Sequence, residues 1–139
     1  MKNDYLCPKC RGHLKVNNFI IITAQTKYIN EGLLLLSPEL GNYTIHKHPS
    51  FKFKKGVQYQ FECPICDQNL MAKDVDEHLV KLLMIDEDKN EYDILFSGIF
   101  GEQCTYIIKD REVVSSWGPN TEKYMKVFEK YKEFYERSL

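Results

Sequence analysis

The chain has 139 residues, 43% hydrophobic and 13% aromatic, a composition typical of one folded domain over residues 1–139 and not of a disordered chain. Its 19 lysine and arginine residues nearly balance 20 acidic residues, giving a formal net charge of −1. This balance argues against a broadly basic nucleic-acid-binding domain, although it leaves room for a local basic patch.

The N-terminal segment, residues 1–5, lacks the apolar core of an export signal. No apolar run is longer than four residues, whereas a membrane-spanning helix needs about 20. We therefore expect a cytoplasmic protein with no membrane partner. In that reducing compartment, paired cysteines bind metal more often than they form disulfides.

Two copies of a C-P-x-C tetrapeptide occupy residues 7–10 and 63–66. Two residues between cysteines allow both sulfurs of a tight turn to reach one ion at about 2.3 Å, and Zn²⁺ accepts four thiolates in a closed tetrahedron. The sequence therefore predicts one metal site with four ligands, Cys7, Cys10, Cys63 and Cys66.

The turn after each motif differs in composition. Gly12 follows the first, where we expect a residue with positive φ, and Gln68 stands at the matching place in the second. Residues 7–12 and 63–70 resemble the paired C-P-x-C knuckles of the zinc-ribbon group, which hold one zinc ion between them. Rubredoxin-like sites are similar too, so iron is the alternative metal; two redox dithiols or two disulfides are the alternatives without metal. Ribbon knuckles are usually closer together, so residues 11–62 are interpreted as a folded insertion.

Between the knuckles, β-branched and aromatic runs separated by turn residues predict several short strands. These strands cover residues 14–28, centred on Phe19–Thr23, and residues 33–36, 43–46 and 57–61. The last strand is expected to deliver Cys63 to the metal site.

Residues 46–55 are the one local concentration of positive charge, with four lysines, two phenylalanines and no acid. One interpretation is a nucleic-acid contact, in which lysines bind phosphate and phenylalanines stack on bases. Its candidate residues are Lys47, Phe51, Lys52, Phe53, Lys54 and Lys55. The other interpretation is an exposed loop whose phenylalanines turn inward.

The second half of the chain predicts a β-meander and then a helix. The expected elements are a helical turn at 70–77, a hairpin of 79–85 and 91–100, and further strands at 103–109 and 112–117. Gly118 and Pro119 end the β region, and Asn120 or Thr121 can cap a helix that runs to the C-terminus.

Cys104 is the fifth cysteine and has no sequence partner. A nucleophilic cysteine needs a base and a lowered pKa, and His13 and His78 are the candidate bases. We interpret Cys104 as a buried structural thiol.

The C-terminal helix carries an aromatic stripe at three- and four-residue steps. The stripe consists of Tyr124, Phe128, Tyr131, Phe134 and Tyr135. It is expected either to pack on the sheet or to form a docking or homodimer surface, since these residue types are favoured at interfaces.

These patterns predict an α+β fold: a β-rich, zinc-ribbon-like region with a β insertion (1–70), an antiparallel β-meander (71–118) and a C-terminal helix (119–139). A closed four-cysteine site leaves no open metal position, so we expect a binding or regulatory protein that acts through protein–protein interaction. The alternatives are nucleic-acid binding through residues 46–55 and rubredoxin-like electron transfer. An enzyme is not expected, because the sequence contains none of the common hydrolase, phosphate-binding or dinucleotide-binding motifs.

Overall fold

The computed structural model describes residues 3–25 and 31–138, with side chains described up to Glu133 in the C-terminal helix. These residues form two antiparallel five-stranded sheets and a short C-terminal helix, which confirms the predicted α+β, mostly β class. The elements are β1 (Asp4–Leu6), β2 (Lys15–Val16), β3 (Phe19–Gln25), β4 (Glu31–Leu36), β5 (Ile45–Lys47), β6 (Gln60–Glu62), β7 (Leu79–Ile85), β8 (Glu91–Ser97), β9 (Thr105–Lys109), β10 (Glu112–Trp117), a 3-10 turn (Thr121–Tyr124) and α1 (Met125–Ser138).

Sheet I is built from the strands between the knuckles, in the order β2-β3-β4-β5. The fifth strand, β6, pairs with the same edge of β3 as β2 does, farther along the strand. Sheet II has the order β1-β7-β8-β9-β10, so the predicted hairpin and meander are present as β7 to β10. Strand β1 departs from the order of the chain, because Tyr5 pairs with Met84 of β7. The N-terminal strand therefore belongs to sheet II, although the strands that follow it form sheet I.

The strand predicted over residues 14–28 is wrong in its first part. Lys15 and Val16 form β2, which folds back on β3 with Lys15 opposite Ile20 and Val16 opposite Phe19. Asn17 makes this tight turn with φ 54°, a left-handed conformation that asparagine tolerates better than most residues. Residues 26–28 lie outside the described part of the chain.

The helical turn predicted at residues 70–77 is present only in its middle part. The Asp76 N–H donates to the Ala72 carbonyl at 2.9 Å, which closes a single turn over residues 72–76. On either side the backbone pairs with the start of β7 instead: the Ala72 N–H donates to the Leu79 carbonyl at 2.7 Å, and Met71 forms an isolated bridge with Val80. Because β7 takes up these backbone groups, the turn does not extend into a helix.

The larger core cluster lies between the two sheets. Alternating residues of sheet I, such as Ile22 and Leu34, face Leu82 and Ile94 of sheet II and are almost fully buried. Because successive strand residues point to opposite faces, Leu33 next to Leu34 is 52% exposed.

A second core cluster joins the helix to sheet II. Tyr124 and Phe128 are buried against Tyr106, Leu95 and Cys104. The Tyr106 ring lies 4.5 Å from the Phe128 ring, centroid to centroid. Part of the aromatic stripe thus packs on the sheet.

This packing corrects the proposed partner or dimer surface. Tyr124 and Phe128 cannot belong to it, since their side chains are enclosed. Tyr131 is half-buried, with the Arg111 guanidinium 4.5 Å from its ring centroid. The side chains of Phe134 and Tyr135 lie outside the described residues.

Across residues 3–25 and 31–138, no helix has the length and apolar character that crossing a membrane would require.

Replacing the buried ring of the helix should destabilise the fold. Phe128→Ala removes a ring that is 4% exposed, so we expect the free energy of unfolding to fall by about 3–5 kcal/mol in urea titrations. Met125→Ala on the same helix is the matched control: Met125 is 39% exposed, so its loss should change stability by less than about 0.5 kcal/mol. Equal effects of the two substitutions would contradict docking of α1 on sheet II.

Candidate metal centre

The structure brings the four cysteines of the two knuckles together. Their Sγ atoms all lie within 4.8 Å of one another. Two of the separations are 3.8 Å (Cys7–Cys66) and 3.9 Å (Cys10–Cys63). Four sulfurs placed about 2.3 Å from a central ion in a regular tetrahedron are about 3.8 Å apart. The four thiols could therefore hold one metal ion, and all are free cysteines.

The two knuckles have equivalent backbone geometry. In each, the N–H of the first cysteine donates to a carbonyl five residues later at 3.0 Å: Cys7 to Gly12, and Cys63 to Gln68. The returning chain then donates to the strand that leads into the knuckle at 2.8 Å, from Leu14 to Tyr5 and from Leu70 to Phe61. Strands β1 and β6 therefore deliver the two cysteine pairs in the same manner.

The residue with positive φ is not the one expected from the sequence. The left-handed position is the residue directly after the second cysteine of each knuckle, Arg11 (φ 59°) and Asp67 (φ 62°). Gly12 has a different role: a Cβ built on it would lie 2.6 Å from Cδ1 of Ile65 in the other knuckle. The glycine thus permits the two knuckles to approach closely.

Backbone N–H groups point at the sulfurs. Cys7 Sγ accepts from Lys9 at 3.3 Å and from Cys10 at 3.4 Å, and Cys63 Sγ accepts from Ile65 at 3.3 Å. Such donors stabilise thiolates, the form that binds metal.

The four thiols differ in burial and in pKa. Cys7 and Cys63 are fully buried, Cys66 is intermediate and Cys10 is exposed. Burial raises the pKa of Cys7, and it raises that of Cys63 to about 12. The hydrogen bond from the Gly12 N–H lowers the pKa of Cys10. A metal ion must therefore displace protons from the two buried thiols, Cys7 and Cys63.

Among the described residues, the four cysteines are the one group of three or more histidine, cysteine or acidic side chains close enough to share an ion. His46 and His48 form no such group: His48 contacts Ser50 at 2.7 Å, and the His46 ring lies edge-on to Phe19.

The basic segment of residues 46–55 does not expose its phenylalanine rings, as stacking on nucleic-acid bases would require. Phe51 is 6% exposed, and its ring lies directly over Gly32 of β4. The prediction that Phe51 stacks on nucleic-acid bases is therefore wrong. Phe53 is half-buried and stacks on Phe100 at 5.2 Å. Lys47 donates to the Phe51 carbonyl at 2.6 Å. The charged remainder, Lys52, Lys54 and Lys55, is exposed.

Cys104 lies outside the cysteine cluster. Its side chain is fully buried in the cluster beneath α1, and burial raises its pKa to about 11. The two candidate bases contact other groups: His13 Nδ1 is 2.7 Å from an Asp4 carboxylate oxygen, and His78 Nδ1 is 3.1 Å from Gln58 Oε1. These contacts support the interpretation of Cys104 as a structural thiol.

Glu102 is a partly buried acidic residue that no sequence pattern singled out. Its carboxylate accepts hydrogen bonds from Ser97 Oγ at 2.8 Å, from Lys123 Nζ at 2.6 Å and from the Tyr124 hydroxyl. Burial opposes ionisation, but these donors outweigh it and lower the pKa of Glu102. No local motif marks this residue, because its partners come from β8 and the C-terminal region.

No protein family, curated protein or solved structure matches this chain significantly. A proposed function therefore depends on the geometry of the site.

Cys104 should resist alkylation in the folded, metal-loaded protein. At pH 8, a thiol with a pKa of about 11 is ionised in about one molecule in a thousand, and this one has no exposed surface. Mass spectrometry after iodoacetamide treatment should find Cys104 unmodified until denaturant is added. A Val114→Cys variant places a thiol at a position of sheet II that is half exposed, and that thiol should react rapidly. Rapid labelling of native Cys104 would contradict its structural role.

Proposed function

We propose that Cys7, Cys10, Cys63 and Cys66 bind one Zn²⁺ ion and that the ion is structural. The observation that carries this proposal is the convergence of four Sγ atoms within 4.8 Å, with separations close to those of a tetrahedral site. Zinc suits such a site because it imposes no geometry of its own.

A closed set of four thiolates supports a structural role over a catalytic one. Catalytic zinc sites keep one position open for water or substrate, whereas these four protein ligands fill the tetrahedron. When bound, the ion supplies a cross-link between two distant segments. The protein's own contribution is to aim backbone N–H groups at the sulfurs and to bury Cys7 and Cys63.

The cross-link would join the two sheets. Cys7 directly follows β1 of sheet II, and Cys63 directly follows β6 of sheet I. In sites of this type, metal binding contributes of the order of 10 kcal/mol, which is comparable to the whole stability of a small protein. The metal would thus hold the sheets together at one end of the core.

We also propose that the protein acts by binding another protein, and not by catalysis. Three observations support this: the metal site is closed, the Cys104 thiol is buried with a raised pKa, and Phe51 lies in the core instead of being free to stack on bases. The third observation disfavours the nucleic-acid alternative.

The metal proposal is tested by comparing two cysteine variants. The wild-type protein and Cys104→Ser should each contain one zinc ion per chain and be colourless, as measured by elemental analysis and visible absorption. Cys63→Ser should lose the ion and unfold at least the knuckle half of the chain by circular dichroism, because an inner ligand is removed. A red protein containing iron would instead favour electron transfer. Equal loss of metal in Cys104→Ser and Cys63→Ser would contradict the assigned ligands.

Zinc affinity should fall as the pH falls. The thiol of Cys63, with a pKa of about 12, is protonated in the metal-free protein at neutral pH, but it must be a thiolate to bind metal. Because binding releases at least this proton, competition with a chelator between about pH 6.5 and 8.5 should show at least a tenfold loss of affinity per pH unit. Cys104→Ser should show the same dependence. A pH-independent affinity would contradict thiolate ligation.

A further inference from the structure

A cavity of about 300 Å³ lies between the two sheets. Its walls include Ile20 and Leu36 of sheet I, Leu82 and Ile94 of sheet II, and the segment of residues 37–45 that closes one side. Protein interiors rarely leave such volumes empty. An apolar cavity of about 150 Å³ is enough to bind benzene, and small-molecule sites begin at about 300 Å³.

The buried polar side chains around the cavity are already paired within the protein. The Tyr5 hydroxyl donates to the Pro38 carbonyl at 2.8 Å, and the Tyr59 hydroxyl accepts from the Lys54 N–H at 2.7 Å. Across the described residues, no buried side-chain nitrogen or oxygen lacks a hydrogen-bond partner. A polar ligand would therefore find few groups free to receive it, and its desolvation would go uncompensated.

The charges around the cavity offer no site for an anion. Glu39 and Glu102 are its two charged wall residues, and no lysine, arginine or histidine of the described chain lines it. Glu39 is exposed, and the Glu102 carboxylate is already paired with Lys123 Nζ at 2.6 Å. A carboxylate or sulfonate placed in the cavity would therefore lose its water without finding a cation in the wall.

Aromatic rings form much of the wall. Phe53 stacks on Phe100 at 5.2 Å and meets Tyr59 edge-on at 4.5 Å, while Phe61 meets Phe96 edge-on at 6.2 Å. Ring faces and edges offer the offset and edge-on contacts that aromatic ligands favour.

The cavity has one end near solvent. Gly41, Asn42 and Gln103 belong to its wall and are exposed, and a shallow surface depression shares these residues. Gly41 has φ +87°, and a Cβ added there would lie 3.2 Å from the Trp117 ring. Entry from this end would not require the sheets to separate.

We propose that this cavity is a binding site for a small, uncharged, ring-bearing apolar molecule. The site is distinct from the metal centre, although the strands that carry Cys7 and Cys63 also contribute Tyr5 and Phe61 to its wall.

Two fluorescent probes that differ by one charge test the proposal on the metal-loaded full-length protein. N-phenyl-1-naphthylamine is neutral, and 8-anilino-1-naphthalenesulfonate has the same ring system with a sulfonate. The neutral probe should bind saturably with one site per chain, and the sulfonate should bind at least tenfold more weakly. Equal binding of both probes, or no saturable binding of the neutral one, would overturn the proposal.

A pair of tryptophan variants on β4 locates the binding. Leu36→Trp fills the cavity and should abolish binding of the neutral probe, whereas Leu33→Trp adds the same ring on the opposite, exposed face and should leave binding unchanged. Binding that persists unchanged in a folded Leu36→Trp protein would place the probe elsewhere.

A measurement on the unmodified chain covers the case in which Leu36→Trp does not fold. In methyl NMR spectra of the wild-type protein, the neutral probe should shift the resonances of Leu36, Ile45 and Ile94, and not those of Leu33. Shifts confined to exposed methyl groups would overturn the proposal.

Discussion

The meeting of two cysteine pairs at one point is the constraint on which the rest of the structure depends. Cys7 continues from an edge strand of sheet II and Cys63 from a strand of sheet I, so any ion that binds all four sulfurs fixes the two sheets relative to each other. The core between the sheets supplies the remaining attraction. A chain of this size has little stability to spare, and a cross-link between segments so far apart in sequence removes much of the freedom of the unfolded state.

The sequence predicted those features of the fold and of the site that depend on residues close together in the chain. The C-P-x-C spacing identified the four sulfurs, and the alternating hairpin of residues 79–85 and 91–100 corresponds to β7 and β8. Long-range contacts determined what the sequence could not reveal. Phe51, in the segment between β5 and β6, is buried because Gly32 of β4 leaves room for its ring. Gly12 is required by Ile65 of the other knuckle instead of by its own turn. Neither neighbour can be identified without the pairing of the strands.

The candidate metal centre and the cavity are built on the same two strands, β1 and β6. Tyr5 and Phe61 each precede a knuckle cysteine by two residues, and both lie in the cavity wall. The zinc ion and the cavity ligand that we propose would therefore both act on the same two strands, β1 and β6. Burial of Tyr124 and Phe128 anchors the C-terminal region on the other face of sheet II, and Cys104 belongs both to that cluster and to the cavity wall.

The pairing of Tyr5 with Met84 also has a kinetic consequence. Strand β1 is made before sheet I, yet its hydrogen-bonding partner β7 is made only after the whole of sheet I and the second knuckle. One edge of β1 can pair early with the returning chain of its own knuckle, at His13 and Leu14. The edge that pairs with β7 has no partner during synthesis while the hairpins of sheet I can form from near neighbours. Contacts between such distant segments slow folding, because the loop must close before any contact is gained. Sheet II can therefore be completed at β1 only after the residues of sheet I have been synthesised.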